Sequence, residues 1–327
     1  MAYVAGDTIL DDEYNKFVNN SSTPFGINFI GGTGTGNVGL GQTEIATVGA
    51  GDTVTAAQWN SLFTFMDNVA NHTNDSLSST TARTAGDPIA VVSALAADLL
   101  SLENEVKGGS TSATAVSEGS EDASIVASAV FDTSHIVEQR FDFQGGDEAR
   151  FFFNAGGTIR VKITNGATNS TGKDTSVGNC ITALGNFDLR ATTNTRSGSG
   201  ETLGGTQTLG YFDLTTSYQT LMTVTESGGT YDGDILIKIE GKANGAHADA
   251  RGNVGDQVTL KVSVLLNDST RTDYTAGNTS SINVEAEAAG PTDIAFHTVD
   301  PTTAQGLSTV YTNISTTAVS NAIVNND

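Results

Sequence analysis

Residues of the types that do chemistry are few in this chain, and their spacing suits no common reaction. There are four histidines and one cysteine. His72, His135, His247 and His297 stand far apart, without the short intervals that turn two ligands toward one zinc ion. Cys180 has no histidine near it in the sequence, and no G-x-S-x-G elbow occurs. Asp232-Gly-Asp234 and Asp147-Glu148 could each lend oxygens to calcium. Neither sits in the D-x-[DN]-x-[DN]-G frame of an EF-hand loop, so solvated turn acids are the simpler reading. The carboxylate pair of a glycosidase meets only in space, and no pair here stands out. We therefore expect no catalytic residue, no cofactor and no dedicated metal ligand, with incidental calcium left open by the acidic balance.

Gly34, Gly36 and Gly39 match G-x-G-x-x-G. A dinucleotide site needs a strand before that motif and a helix directly after it. Here the segment 24–26 precedes it closely, and 43–51 has no helical pattern. An ordered glycine loop, in which backbone packs against backbone, is the expectation.

The element around which the chain is organised is a helix over 87–109. Val92, Leu95, Leu99, Leu102 and Val106 recur at intervals of three and four, the a/d seam along which helices pair. Asp87 can cap the first turn, Pro88 fits the first helical position, and Gly108-Gly109 can stop the helix. Before it lies a helical, Gly-rich module over 1–86 with an internal repeat. Ala5-Gly-Asp-Thr8 recurs as Ala50-Gly-Asp-Thr53, and at the same offset Tyr14-Asn15 matches Trp59-Asn60 and Phe17 matches Leu62. Thr55 and Gln58 form a capping box, after which Trp59, Leu62, Phe63, Met66, Val69 and Ala70 line one face of a helix. Trp59 should be buried. We expect Tyr14, Phe17, Trp59, Leu62 and the five seam residues to form an assembly interface, making the chain a homo-oligomer.

After a Gly/Ser/Thr-rich linker over 110–124 the hydrophobic period changes to two. Phe141 and Phe143 share a face, as do Ile159, Val161 and Ile163; Ile235, Ile237 and Ile239; and Val258, Leu260, Val262 and Val264. One apolar face per strand predicts an antiparallel β-sandwich over 125–290. Arg150 to Ile163 reads as a hairpin, with Phe151 and Phe153 facing the partner strand and Gly156-Gly157 at the turn. The stretch 164–210 is irregular, and 291–327 reads as a C-terminal arm or tail. The fold expected is thus α+β and multi-domain: helical module, heptad helix, sandwich.

The 327 residues allow two or three domains. Fifteen Lys and Arg against 37 Asp and Glu give a net charge of −22. That disfavours nucleic acid and anionic membranes, which call for a basic face. Only 16% of residues are charged, so Thr, Ser, Asn and Gly carry the polar load. A single cysteine rules out an intrachain disulfide. The N-terminus lacks the basic-then-apolar pattern of a secretory signal, and no stretch is long and apolar enough for a membrane span, so synthesis and assembly in a cytoplasm are expected.

Three stretches resemble a known class of proteins. Gly51-Asp-Thr-Val-Thr-Ala-Ala-Gln-Trp59-Asn-Ser-Leu62 resembles the G-x-x-I-T-A-x-x-W-N-x-L segment of bacteriophage tail-fibre-like proteins. Gly39-Leu-Gly-Gln42 sits where virion proteins of marine, cyanophage-type tailed phages carry G-Y-G-Q, with Leu40 in place of the tyrosine. The run from Phe141 to Gly157 resembles a β segment of the same proteins. The resemblance implies a non-enzymatic virion structural protein, a tail fibre or other surface appendage, with other virion proteins as partners. A host-surface glycan is a further candidate partner. The rival readings are a cellular surface-filament subunit and a glycan-binding adhesin with no phage role.

Overall fold

A computed structural model describes residues 11–87, 92–107, 118–121, 125–131, 133–166, 172–227, 233–245, 254–266, 289–301, 307–308 and 314–324. The chain is mixed α+β, a helical module followed by two antiparallel sheets in a sandwich-like arrangement.

Among the described residues, four helices build the first part: α1 (Asp11–Asn19), α2 (Ile27–Ile30), α3 (Ala56–Thr73) and α4 (Val92–Lys107). The capping box forms as the sequence dictates. The Thr55 hydroxyl accepts from the Gln58 amide at 3.3 Å, and the Gln58 side chain accepts from the Thr55 amide at 2.7 Å. The stripe from Trp59 to Ala70 is buried throughout. The two aromatics at matched repeat positions meet, Tyr14 edge-on to Trp59 with centroids 5.3 Å apart.

Leu95, Leu99, Leu102 and Val106 are also buried, because α4 lies against α1, α2 and α3 of its own chain. A lone four-turn helix is marginal in water, and these neighbours are what hold it. The Asp87 carboxylate accepts from the amide and hydroxyl of Thr84, tightening the turn ahead of α4. Pro88 and the glycines expected to stop the helix, with most of the 110–124 linker, lie outside the described residues.

The second part holds β1 (Glu118–Glu121), β2 (Ile125–Phe131), β3 (Ser134–Asp142), β4 (Thr158–Asn165), β5 (Asn186–Leu189), β6 (Asn194–Arg196), β7 (Thr202–Gly204), β8 (Gln219–Thr225), β9 (Ile235–Ala243), β10 (Gln257–Leu266), β11 (Ala289–Pro301) and β12 (Ser315–Val324). One sheet runs β11-β4-β5-β6, with β1 and β2 both paired to the remaining side of β11; the other runs β12-β3-β10-β9-β8-β7. In register, Ile163, Val161 and Ile159 of β4 stand opposite Ile294, Phe296 and Thr298 of β11. Phe141 of β3 reaches Phe296 of the other sheet, centroids 6.4 Å apart.

Three expectations are corrected. First, 150–163 is no hairpin. Gly146–Asn154 is a helix, α5, and only β4 after it is a strand. Three consecutive phenylalanines fit a buried strand and a buried helix equally by periodicity. Asp147 and Glu148 in the first turn, where the helix end is positive, decide for the helix. Gly156 ends it at φ +96°, its amide and that of Gly157 closing on the carbonyls of Phe153 and Phe152. Second, the stretch 164–210 contains a helix, α6 (Gly172–Leu184), which touches β4 and β11 of one sheet and β8 and β9 of the other. Val177, Cys180 and Leu184 fill the space between the sheets. Third, the expected tail supplies β11 and β12, and β11 crosses the boundary set at 290 to become an interior strand.

Candidate functional site

Side-chain amides are the working groups of the helical module. A primary amide carries one acceptor and a two-proton donor, so it can pair with both the N–H and the C=O of one residue. Asn15 does this to Val48, donating to its carbonyl at 2.8 Å and accepting from its amide at 2.8 Å. Asn60, at the matched repeat position, does the same to Arg83 at 2.9 and 2.8 Å. Asn28 holds Ile45 at 2.9 and 3.0 Å. Gln42 holds Ser308, its oxygen accepting from the Ser308 amide at 2.8 Å and hydroxyl at 3.0 Å, its nitrogen donating to the carbonyl at 3.2 Å. Each clamp pins an irregular segment of chain that has no sheet ladder to satisfy it.

Between two of these clamps lies a groove of about 620 Å³ along α3, walled on its other side by Gln42, Thr43, Ile45 and Ser308. Asn60, Ser61, Thr64, Phe65 and Asn68 of α3 line it. Hydroxyls and amides can donate to and accept from a neutral ligand. Among the described residues, those that line the groove carry no charge, so what they can do is bind a neutral polar chain, such as a peptide backbone or the hydroxyls of a sugar.

The glycine loop is part of a joint that fixes the helical module on the β body. Gly34, Gly36 and Gly39 all have positive φ, and a short α-helix, α2, precedes them where a dinucleotide fold puts a strand. Into this loop goes Arg150 of α5, wholly buried. Its guanidinium donates to the Thr33 carbonyl and, at 2.7 Å, to Asp147, and it lies 5.3 Å from the Phe151 ring centre. Asn154 donates to the Gly39 carbonyl at 2.9 Å. His72 of α3 meets the Ala155 carbonyl at 2.8 Å, which requires its Nε2 to carry the proton. A side chain at Gly41, φ +66°, would come within 2.5 Å of the Phe151 ring.

The nine residues expected to form an assembly interface are placed differently. Tyr14, Phe17, Trp59, Leu62, Leu95, Leu99, Leu102 and Val106 are each at most 6% exposed within a single chain, and the side chain of Val92 lies outside the described residues. Aromatic and aliphatic stripes at helical spacing serve a protein's own core as readily as an interface, and here they serve the core. The candidate chemistry is likewise occupied. Cys180 is buried, with its thiol pushed up to about 12 by burial and by the nearby carboxylates of Glu201 and Glu226. Asp147 holds Arg150, and Asp232 and His247 lie outside the described residues. Burial alone raises the Glu121 carboxyl, but Lys162 at 2.5 Å, His297 at 2.7 Å and Arg160 at 3.6 Å outweigh it and hold the group below its ordinary range. Among the described residues, no group of three His, Cys, Asp or Glu is disposed to hold a metal, and no helix is long and apolar enough to cross a membrane.

The sequence reading misses Arg150 and Asn154 as functional groups, because it sets that segment in a hairpin. It also misses the amide clamps, although the repeated aromatic-Asn pair marks two of them. Compared with known protein families, characterised proteins and solved structures, the chain matches none.

Proposed function

We propose that this chain is a non-enzymatic structural subunit of a tailed-phage virion, a fibre or other surface appendage that assembles with its own copies. What carries the reading is the joint. A buried arginine, a buried asparagine and a buried histidine are committed to backbone carbonyls across the boundary between module and body. Burying such groups is costly, and what their bonds to backbone carbonyls give in return is a fixed relative orientation. A part that must hold shape under load needs that property. The resemblance of Gly51 to Leu62 to tail-fibre-like proteins supports the same conclusion. In this reading the chain assembles in the host cytoplasm, beside other virion proteins.

The test is immuno-electron microscopy of the purified particle with antibody raised against this chain. Decoration of a tail or surface appendage is the expected result; absence of the chain from purified particles overturns the proposal. The groove along α3 favours a second role, contact with a host-surface glycan through its neutral amides and hydroxyls. Binding on a glycan array that is lost in Asn68→Ala would support that role, and no binding by the wild type would remove it.

A further inference from the structure

The two sheets end on the same side of the sandwich in unequal company. β2 lies along the outer side of β11, and β12 closes the second sheet beyond β3 while also touching β2. Among the described residues β12 is paired on one side only. Every residue from Ser315 to Ile323 is exposed. Three of the four large exposed hydrophobics of the described residues lie on these two strands: Val130 on β2, and Val319 and Ile323 on β12.

A ten-residue strand with one free edge offers a row of unpaired N–H and C=O groups, and proteins blunt such edges with lysine, proline, inward charge or bulges. β12 contains neither a charge nor a proline, and no charged residue occurs anywhere from 301 to 326. Its single protective device is the bulge between Ala318 and Ser320. Ser-Thr-Thr-Ala-Val-Ser-Asn-Ala-Ile-Val is instead a sequence suited to pairing, with threonine, valine and isoleucine well represented.

We infer that β12 is the edge through which two copies of this chain join, antiparallel and in the plane of the sheet, so that the second sheet continues from one copy into the next. This rests on the reading of the chain as a self-assembling subunit and names the surface it uses. A second copy is the occupant for two reasons. An antiparallel pair of identical strands is related by a twofold axis and is self-complementary, as a closed dimer contact must be. And a chain of net charge −22 repels its own copies wherever acids are exposed, so the uncharged strip is where they can approach.

The experiment is sedimentation velocity on the full chain from low to high micromolar concentration, for the wild type and for Val319→Lys with Ile323→Lys. Both side chains are exposed, so the charges should leave the fold and its melting temperature unchanged while placing like charges against each other in the paired edge. The expected result is association of the wild type, weakened at least about tenfold in the variant. In parallel, Ser320→Cys supplies an exposed thiol in a chain whose native cysteine is buried, and it should cross-link copies with a short bifunctional maleimide. Wild type and lysine variant associating equally, with no cross-link, would overturn the β12 edge and leave self-assembly standing. A wild type that stays monomeric throughout would overturn both.

Discussion

At the scale of single residues, the chain satisfies its backbone with amides where many proteins use ladders or ions. Asn15 and Asn60 occupy matched repeat positions and make the same two bonds to a passing segment. Removing either amide leaves an N–H and a C=O without their partner, so Asn15→Ala and Asn60→Ala should each cost about 1–3 kcal/mol, and by similar amounts. Urea unfolding followed by circular dichroism measures this; a loss confined to one of the two would show that the repeat is not equivalent in energy. Trp59 is a different case, 1% exposed and packed on Tyr14, Phe17 and Phe63. Trp59→Ala should cost about 3–5 kcal/mol through the cavity it leaves. Leu100, at 40% exposure on the opposite side of the seam helix, should tolerate the same change within about 0.5 kcal/mol.

At the scale of elements, what was legible followed from how strongly local pattern constrains the backbone. The α3 boundary could be read because Thr55 and Gln58 must face each other in a capping box, and the strands β4, β9 and β10 because alternation has one solution. The helix α4 was legible as a helix, but a seam says only that something covers it, and the cover proved to be α1, α2 and α3. Helix α5 was not legible, because Arg150, Phe151, Phe152 and Phe153 are all buried and a helix enclosed on every side loses its period. Helix α6 was hidden for another reason. Gly172, Thr175, Ser176, Gly178 and Asn179 are all poor helix formers, and the helix exists because the two sheets cover it. The joint and the partners of the amide clamps could not be read, since each links segments far apart in the chain; only the repeated aromatic-Asn pair marked two of the clamping residues. The joint also gives the element-scale prediction. Gly41 has φ +66° and faces the Phe151 ring, so Gly41→Ala is strained by its backbone and by its new methyl together. It should cost about 2–3 kcal/mol. Gly51→Ala, with φ +85° and open space around it, isolates the backbone share at about 1–2 kcal/mol. Equal losses in the two would mean that α5 does not press on the glycine loop.

At the scale of the whole molecule, two consequences of burial and charge can be separated by solution conditions. Burial holds His72 below its ordinary value of 6.5, against the bond to Ala155, and burial does the same to His135 against its bond to Asn321. A histidine depressed in the folded state supports folding fully above about 6.5, and that support is lost as the pH falls below it. Protonation would place a proton on Nδ1 of His72, which has no partner among the described residues. The joint should therefore loosen in mild acid, and His72→Gln should flatten the loss of stability as the pH falls below about 6.5, above the range in which carboxylates such as Glu121 titrate. Thermal melts across that range, wild type against variant, would read it. Salt acts on the other term. With 37 acids against 15 bases, exposed like charges outnumber exposed ion pairs, and an exposed pair is worth only about 0–1 kcal/mol. Screening at about 0.15 M ionic strength, where the Debye length is about 8 Å, removes more repulsion than attraction. The buried Arg160–Asp188 fork, with contacts of 2.7 and 2.8 Å, is sheltered from it. Melting temperature should therefore rise as salt is added from low ionic strength. Association through an uncharged edge should strengthen over the same range, because the net electrostatic term between two copies of charge −22 is repulsive. An interface built on opposite charges would weaken instead, so sedimentation at low and moderate salt distinguishes the two, and weaker association at the higher salt would refute the neutral edge.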